Sequence, residues 1–100
     1  MRVFEVADAS PEDFVDRVAA MILTRGLAEY VSVALEGDQL LVSFRWMGTS
    51  RLHYRLEPAA GGFRATLTAT RLAPVHAPFR GRFEGQLESV LSELGARLEP

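Results

Sequence analysis

One hundred residues, 48% of them apolar, with a net charge of −2, define one globular domain over residues 1–100 and exclude a disordered chain. There is no cysteine, which excludes disulfides, thiolate metal sites and a cysteine nucleophile, and no apolar run reaches the length of a membrane span. The charge is sorted by segment: three arginines against eight acids over residues 1–39, seven arginines against Glu57 alone over 40–82, and Arg97 against four acids over 83–100, an asymmetry that bears on partners and not on fold.

Arg2 to Val6 reads as a short strand. Ser10-Pro11-Glu12-Asp13 reads as a helix start, with Ser10 suited to the N-cap, Pro11 to the first helical position and Asp13 to the capping-box position. Phe14, Val18, Met21 and Ile22 recur at helical spacing, with Val15 beside them, and Gly26 supplies a left-handed stop. A helix is expected over Pro11 to Arg25. Strict alternation follows. Val31, Val33 and Leu35 share one face, Gly37-Asp38 makes a two-residue turn, and Leu40, Val42, Phe44 and Trp46 return on the same face. Pairing Glu36 with Gln39 sets Leu35 opposite Leu40, Val33 opposite Val42 and Val31 opposite Phe44.

After a turn at Gly48-Thr49-Ser50, Leu52, Tyr54 and Leu56 continue the apolar face. A loop over Pro58 to Gly62 leads to Phe63, Ala65, Leu67 and Ala69 on the inner side, with Arg64, Thr66, Thr68 and Thr70 on the outer. Glu57 is aligned with Arg64, because the alternative register faces Arg55 with Arg64. Leu72 to Pro78 is a connection that Pro74 and Pro78 keep irregular. From Phe79 onward, Phe83, Leu87, Val90, Leu91, Leu94 and Leu98 form a last helical stripe.

The fold class is α+β in the order β-α-β-β-β-β-α, an antiparallel sheet of four to five strands with two helices packed on one face. The place of the first strand in the sheet stays open. The outer face collects the basic segment, and Tyr30, Arg45, Arg51, His53, Arg55 and Arg64 form a candidate interaction face. The chain has no lysine, so every fixed positive side chain is a guanidinium suited to planar, bidentate contacts. Half-wet antiparallel sheets also carry Arg and Thr outside for solvation alone. Faces that bind single strands of nucleic acid add stacking aromatics, and only Tyr30 projects on this side. A second copy of the chain, as a homodimer, or an acidic protein is therefore favoured over nucleic acid. A strip of small residues on the last helix (Gly81, Gly85, Ser89, Ser92 and Ala96) is the other candidate contact with a second copy, unless the helix begins late, near Phe83.

No reaction can be assigned. His53 lies among arginines, His76 lies between two prolines, and neither has an acid cluster beside it, so no metal site is expected. Glu57 is the only acid expected on the sheet, which leaves carboxylate-pair chemistry without a pair. No carboxylate is placed to orient a Ser43–His53 couple. The protein is read as non-enzymatic, without catalytic residues or cofactor. The opening Met1-Arg2-Val3-Phe4-Glu5 lacks signal-peptide character, so a cytoplasmic location is expected, with no membrane partner.

The stretch Val6-Ala7-Asp8-Ala9-Ser10-Pro11-Glu12-Asp13-Phe14-Val15, together with the element order, resembles the opening of the START/Bet v 1-like helix-grip superfamily. The resemblance implies an apolar ligand held between the final helix and a curved sheet, lined by Phe44, Trp46, Tyr54, Phe63, Leu87 and Leu91. The chain places fewer strands between its helices than that family does, and a sheet this small lets the same aromatics fill a solid core. Two expectations stand: a self-associating or protein-interaction module, and a carrier of a small apolar ligand. Nucleic-acid binding by the arginine face is a weaker third.

Overall fold

The computed structural model describes residues 2–99 and shows a six-stranded antiparallel sheet with two helices against one face. The first helix, α1 (Pro11–Thr24), follows from its capping residues. Ser10 Oγ accepts the Asp13 N–H at 3.2 Å, and Pro11 opens the first turn. At the other end Gly26 adopts φ +72°, Gly26 N–H donates to Leu23 O, and Leu27 N–H donates to Ile22 O at 2.9 Å, which is a Schellman ending. Phe14, Val18 and Ile22 form the buried face.

β1 (Val3–Ala7) precedes that helix, and β2 (Val31–Glu36) and β3 (Gln39–Arg45) follow it as a hairpin in the expected register, Val31 opposite Phe44 through Glu36 opposite Gln39. β4 (Thr49–Ala59) and β5 (Gly62–Arg71) run longer than the alternation indicated, so the expected loop at Pro58 to Gly62 shrinks to a turn at Ala60-Gly61. Glu57 faces Arg64 as expected. Gly62 is needed where β1 crosses, since a Cβ there would meet Val6 O at 1.8 Å.

β1 joins the sheet beside β5, and a sixth strand, β6 (Arg97–Glu99), pairs with its other edge, giving the order β2-β3-β4-β5-β1-β6. The sheet therefore has one strand more than the four to five expected. The last helix, α2 (Arg80–Glu93), stops before the end of its apolar stripe. Gly95 turns the chain at φ +89°, Ala96 N–H closes on Leu91 O at 3.0 Å, and Leu98 packs from the sheet, not from a helix. Ala96 is buried at that turn, so it leaves the strip of small residues.

Two details of the alternation are corrected. Trp46 falls outside β3, because Met47 (φ +54°) and Gly48 (φ +146°) turn the chain, and the indole is 41% exposed. In β5 a bulge intervenes: Tyr54 faces Leu67 but His53 faces Ala69, which leaves Thr68 as the extra residue. Ala69 thus moves from the expected inner side to the outer face, and Thr70 stands opposite Leu52 on the inner side.

Phe4, Phe14, Tyr54 and Phe63 pack ring on ring at 5.4–6.4 Å, and Leu87, Val90 and Leu91 of α2 close the core above them. The voids between helices and sheet are about 10 and 20 Å³, of the order of one water each. Phe44, Tyr54, Phe63, Leu87 and Leu91 therefore fill a solid core. Burial, and secondarily the charges of Glu84 and Glu88, push the Tyr54 phenol well above its ordinary pKa, so it stays neutral. Between β5 and α2, a 3-10 segment (Pro74–Phe79) buries His76 completely. Neither helix is long and apolar enough to cross a membrane.

Candidate functional site

The outer face of the sheet is less uniformly basic than the segment charges imply. Glu57 is not its only acid, because β1 and β6 bring Glu5 and Glu99 onto the same face. Arg64 donates to both, reaching Glu99 at 2.9 Å, and Arg97 donates to Glu5 at 2.6 Å. Arg55 pairs with Glu57 at 2.8 Å, and Arg45 donates to Ser32 Oγ at 2.8 Å. The six residues expected to act as one interaction face are thus divided. Arg55 and Arg64 are neutralised, Tyr30 and Arg45 stand at the end of the hairpin, and Arg51 and His53 occupy the middle. There Arg51 lies directly opposite Arg71, and a concavity of about 440 Å³ is lined by Gln39, Arg51, His53, Thr68, Ala69 and Arg71.

The guanidinium of Arg64, followed by that of Arg97, holds the Glu5 carboxyl below the usual carboxylate range. A carboxylate with a lowered folded-state pKa stabilises fully above its unfolded value, near 4.5, and loses that contribution as pH falls through the lower folded value. Glu5→Gln is accordingly expected to lower the melting temperature at pH 7, with parent and variant curves converging as the pH drops toward the folded-state pKa. Melting curves at a series of pH values test this; a constant offset down to strong acid would contradict it.

A second feature is the open edge of β2. Arg45 N–H donates to Tyr30 O at 2.6 Å, so Tyr30 and its alternate neighbours Ser32, Ala34 and Glu36 turn their peptide groups toward β3. Val31, Val33 and Leu35 turn theirs outward. The Val31 N–H is taken by Leu27 O at 2.9 Å. That leaves Val31 C=O and both backbone groups of Val33 and Leu35 facing outward without a strand partner among the described residues. β2 has no proline, no bulge and no charge before Glu36, the devices that normally protect an edge. The opposite edge, β6, is three residues long and carries Arg97 and Glu99. Alternation in the sequence identified β2 as a strand; its edge position depends on strand order, and sequence reasoning missed it as a contact surface.

The third feature is a groove of about 580 Å³ at the end of the β2–β3 hairpin, between it and the first turns of α2. Leu27, Tyr30, Val31, Phe44, Trp46 and Phe83 give it an apolar lining, with Arg45 and Arg82 at its rim. Gly81 and Gly85 of the small-residue strip line the same groove, with open space where side chains would stand. Ser89, further along the strip, accepts from Arg25 at 3.4 Å, and Arg25 also reaches Glu93 at 2.7 Å, so that part of α2 is engaged with α1. Of the six residues expected to line a ligand cavity, Phe44 and Trp46 reach this groove.

A concavity of about 870 Å³ lies at the opposite end of α1, where Asp8, Glu12, Asp13, Asp38 and Glu57 surround the helix start. No group of three or more His, Asp or Glu among the described residues is arranged to hold a metal. His76 is not a surface histidine: its two ring nitrogens contact Ser50 Oγ and the Trp46 carbonyl, each at 2.5 Å. No family model matches the chain, and no curated protein or solved structure matches it significantly.

Proposed function

We propose that the protein is a non-enzymatic self-associating module whose second copy joins along β2. The observation that carries this reading is the open six-residue edge with a self-complementary pattern of backbone groups. Two β2 strands placed antiparallel about Val33 set Val33 against Val33 and Val31 against Leu35. Residues directly opposite in such a pair point to the same side, so the apolar residues of both copies stay on the helix side. Val33 N–H then donates to Val33 C=O in both directions, and Leu35 N–H donates to Val31 C=O in both directions. The Val31 N–H, held by Leu27 O, makes no bond to the partner, so each outer pair keeps one hydrogen bond of two and each Leu35 C=O has no donor across the seam. The result is an isologous twofold contact and one continuous sheet. The association surface is then neither the arginine face nor the last helix.

The test is native mass spectrometry and light scattering of the intact chain over a wide concentration range. A concentration-dependent dimer is expected. Val33→Pro removes an outward-facing N–H without touching the β2–β3 ladder, and Ala34→Lys puts a charge on the seam. Both are expected to weaken the dimer at least about tenfold, close to 1.4 kcal/mol, while circular dichroism stays unchanged. A parent that is monomeric at every concentration, or a dimer indifferent to both substitutions, would refute β2 pairing.

The groove beside Trp46 favours a second reading, a carrier of a small apolar ligand in the manner the helix-grip resemblance implies. Its volume, about 580 Å³, lies within the range of ligand sites, and its lining is largely apolar. The ligand would lie at the mouth of the fold, against Trp46 and Phe83, and not between helix and sheet. A monomer carrying a discrete small-molecule mass in the same spectra would support this reading over the first.

A further inference from the structure

The bulge in β5 has a consequence for charge. If the Glu57–Arg64 register ran on unbroken, Arg71 would stand opposite Ser50, which is 1% exposed and on the buried side. The extra residue at Thr68 turns Arg71 to the outer face and sets it directly across from Arg51. Like charges opposite one another on adjacent strands oppose folding. Elsewhere on this face each guanidinium is answered: Arg55 by Glu57, Arg64 by Glu5 and Glu99, Arg97 by Glu5, and Arg45 by the Ser32 hydroxyl. No carboxylate among the described residues pairs with Arg51 or Arg71, and none lines the concavity they share. His53 and Gln39 add polar side chains around it, and Ala69, opposite His53, keeps its centre shallow and open.

We propose that Arg51 and Arg71, with His53 beside them, form a binding site for a small oxyanion of the phosphate class, either free phosphate or a phosphate monoester. Guanidinium groups bind such oxyanions through paired, charge-assisted hydrogen bonds, and a dianion between two of them cancels their repulsion. The positive charge is also local. The neighbouring Arg55 and Arg64 are neutralised, so no continuous cationic track runs along the face as a polynucleotide backbone requires. Tyr30, the one aromatic expected on this side, stands at the far groove and not in the concavity. A small anion therefore fits where a nucleic-acid strand does not.

The experiment is thermal denaturation of the intact chain at fixed ionic strength, titrated separately with inorganic phosphate, glycerol phosphate and chloride. Arg51→Gln, Arg71→Gln and Arg71→Lys run in parallel. A saturable rise in melting temperature is expected with phosphate or its ester and not with chloride. Each glutamine variant should bind roughly tenfold or more weakly, and Arg71→Lys, which keeps the charge but loses the fork, should fall between. Without phosphate the glutamine variants should melt no lower than the parent, because one member of a repelling pair is gone; a residue needed only for folding would not behave so. Saturation at lower concentration by glycerol phosphate identifies a phosphorylated small molecule as the source, and the reverse identifies free phosphate. Absence of a saturable rise in the parent, or an equal rise in the variants, overturns the site. So does tighter binding of a single-stranded oligonucleotide that depends on Arg45 as much as on Arg51.

Discussion

Phe4→Ala is expected to lower the unfolding free energy by about 3–5 kcal/mol, the range for emptying a fully buried aromatic site. Phe4 has no exposed surface, and its ring lies 5.4 Å from Tyr54, 6.1 Å from Phe14 and 6.4 Å from Phe63. It therefore joins α1, β4 and β5 at one point. It also sits on the strand that holds both β5 and β6, opposite Ala65 and Leu98. Domains of this size are stable by roughly 5–15 kcal/mol, so the loss brings the chain close to unfolding at ordinary temperature. Urea denaturation measures it directly, through a lower midpoint at unchanged slope. Phe4→Leu, which keeps most of the volume, should lose distinctly less. A loss under 1 kcal/mol for the alanine variant would mean that β1 is not held in the sheet as described.

The parts of this fold legible in the sequence are those fixed locally. The β2–β3 register follows from a two-residue turn at Gly37-Asp38 and from period-two alternation, and neither needs a distant partner. The ends of α1 follow from Ser10-Pro11 and Gly26 in the same way. β6 was not legible, because three residues are too few to show a period and Leu98 continues the helical spacing of Leu87, Leu91 and Leu94. Its status as a strand comes from the free edge of β1, 92 residues away at the Glu5–Arg97 pair. The same long-range pairing brings Glu5 and Glu99 beside Arg64, so the apparent basic face could not be corrected until the strand order was known. The bulge was hidden for a different reason. Thr66, Thr68 and Thr70 tolerate either face, and inserting one residue among them leaves no break in the pattern. The Arg51–Arg71 pairing and the outward turn of Arg71 both depend on that insertion. The groove at Trp46 was half legible: Phe44 and Trp46 were assigned to an interior cavity that packing closes, Tyr30 and Arg45 to the outer sheet face, and Gly81 and Gly85 to a helix contact, and only the folded chain brings the three sets together.

His76→Ala is expected to cost about 3–4 kcal/mol, from an emptied ring site and from the buried Ser50 hydroxyl and part-buried Trp46 carbonyl left without their partner. The imidazole has no exposed surface. Its Nε2 lies 2.5 Å from the Trp46 carbonyl, which can only accept, so the proton is assigned to Nε2 by the hydrogen-bond network. Nδ1 then accepts the Ser50 hydroxyl at 2.5 Å, and Ser50 Oγ accepts the Ala73 N–H at 2.8 Å. The bonds run in one direction, from Ala73 through Ser50 and His76 to Trp46. They fasten the 3-10 segment to the turn after β3, and no buried side-chain nitrogen or oxygen among the described residues, those of Ser50 and His76 included, lacks a hydrogen-bond partner. A serine beside a histidine invites a nucleophilic reading, yet here the hydroxyl is buried, already engaged on both sides, and no carboxylate orients the ring. The role is positional. His76 stacks under the Trp46 indole at 6.3 Å and meets Phe83 edge-on at 5.2 Å, so it supports two residues that line the open groove. A double-mutant cycle with Ser50→Ala should give a coupling energy of about 1–3 kcal/mol, and both variants should lose hydrogen-exchange protection at the Ala73 amide. His76→Ala should in addition change the Trp46 fluorescence, whereas Phe4→Ala should not at temperatures where the chain stays folded. Zero coupling, or an Ala73 amide that exchanges equally in parent and variants, would remove the network as the fastening between segment and sheet and leave only ring packing to explain why a histidine is buried there.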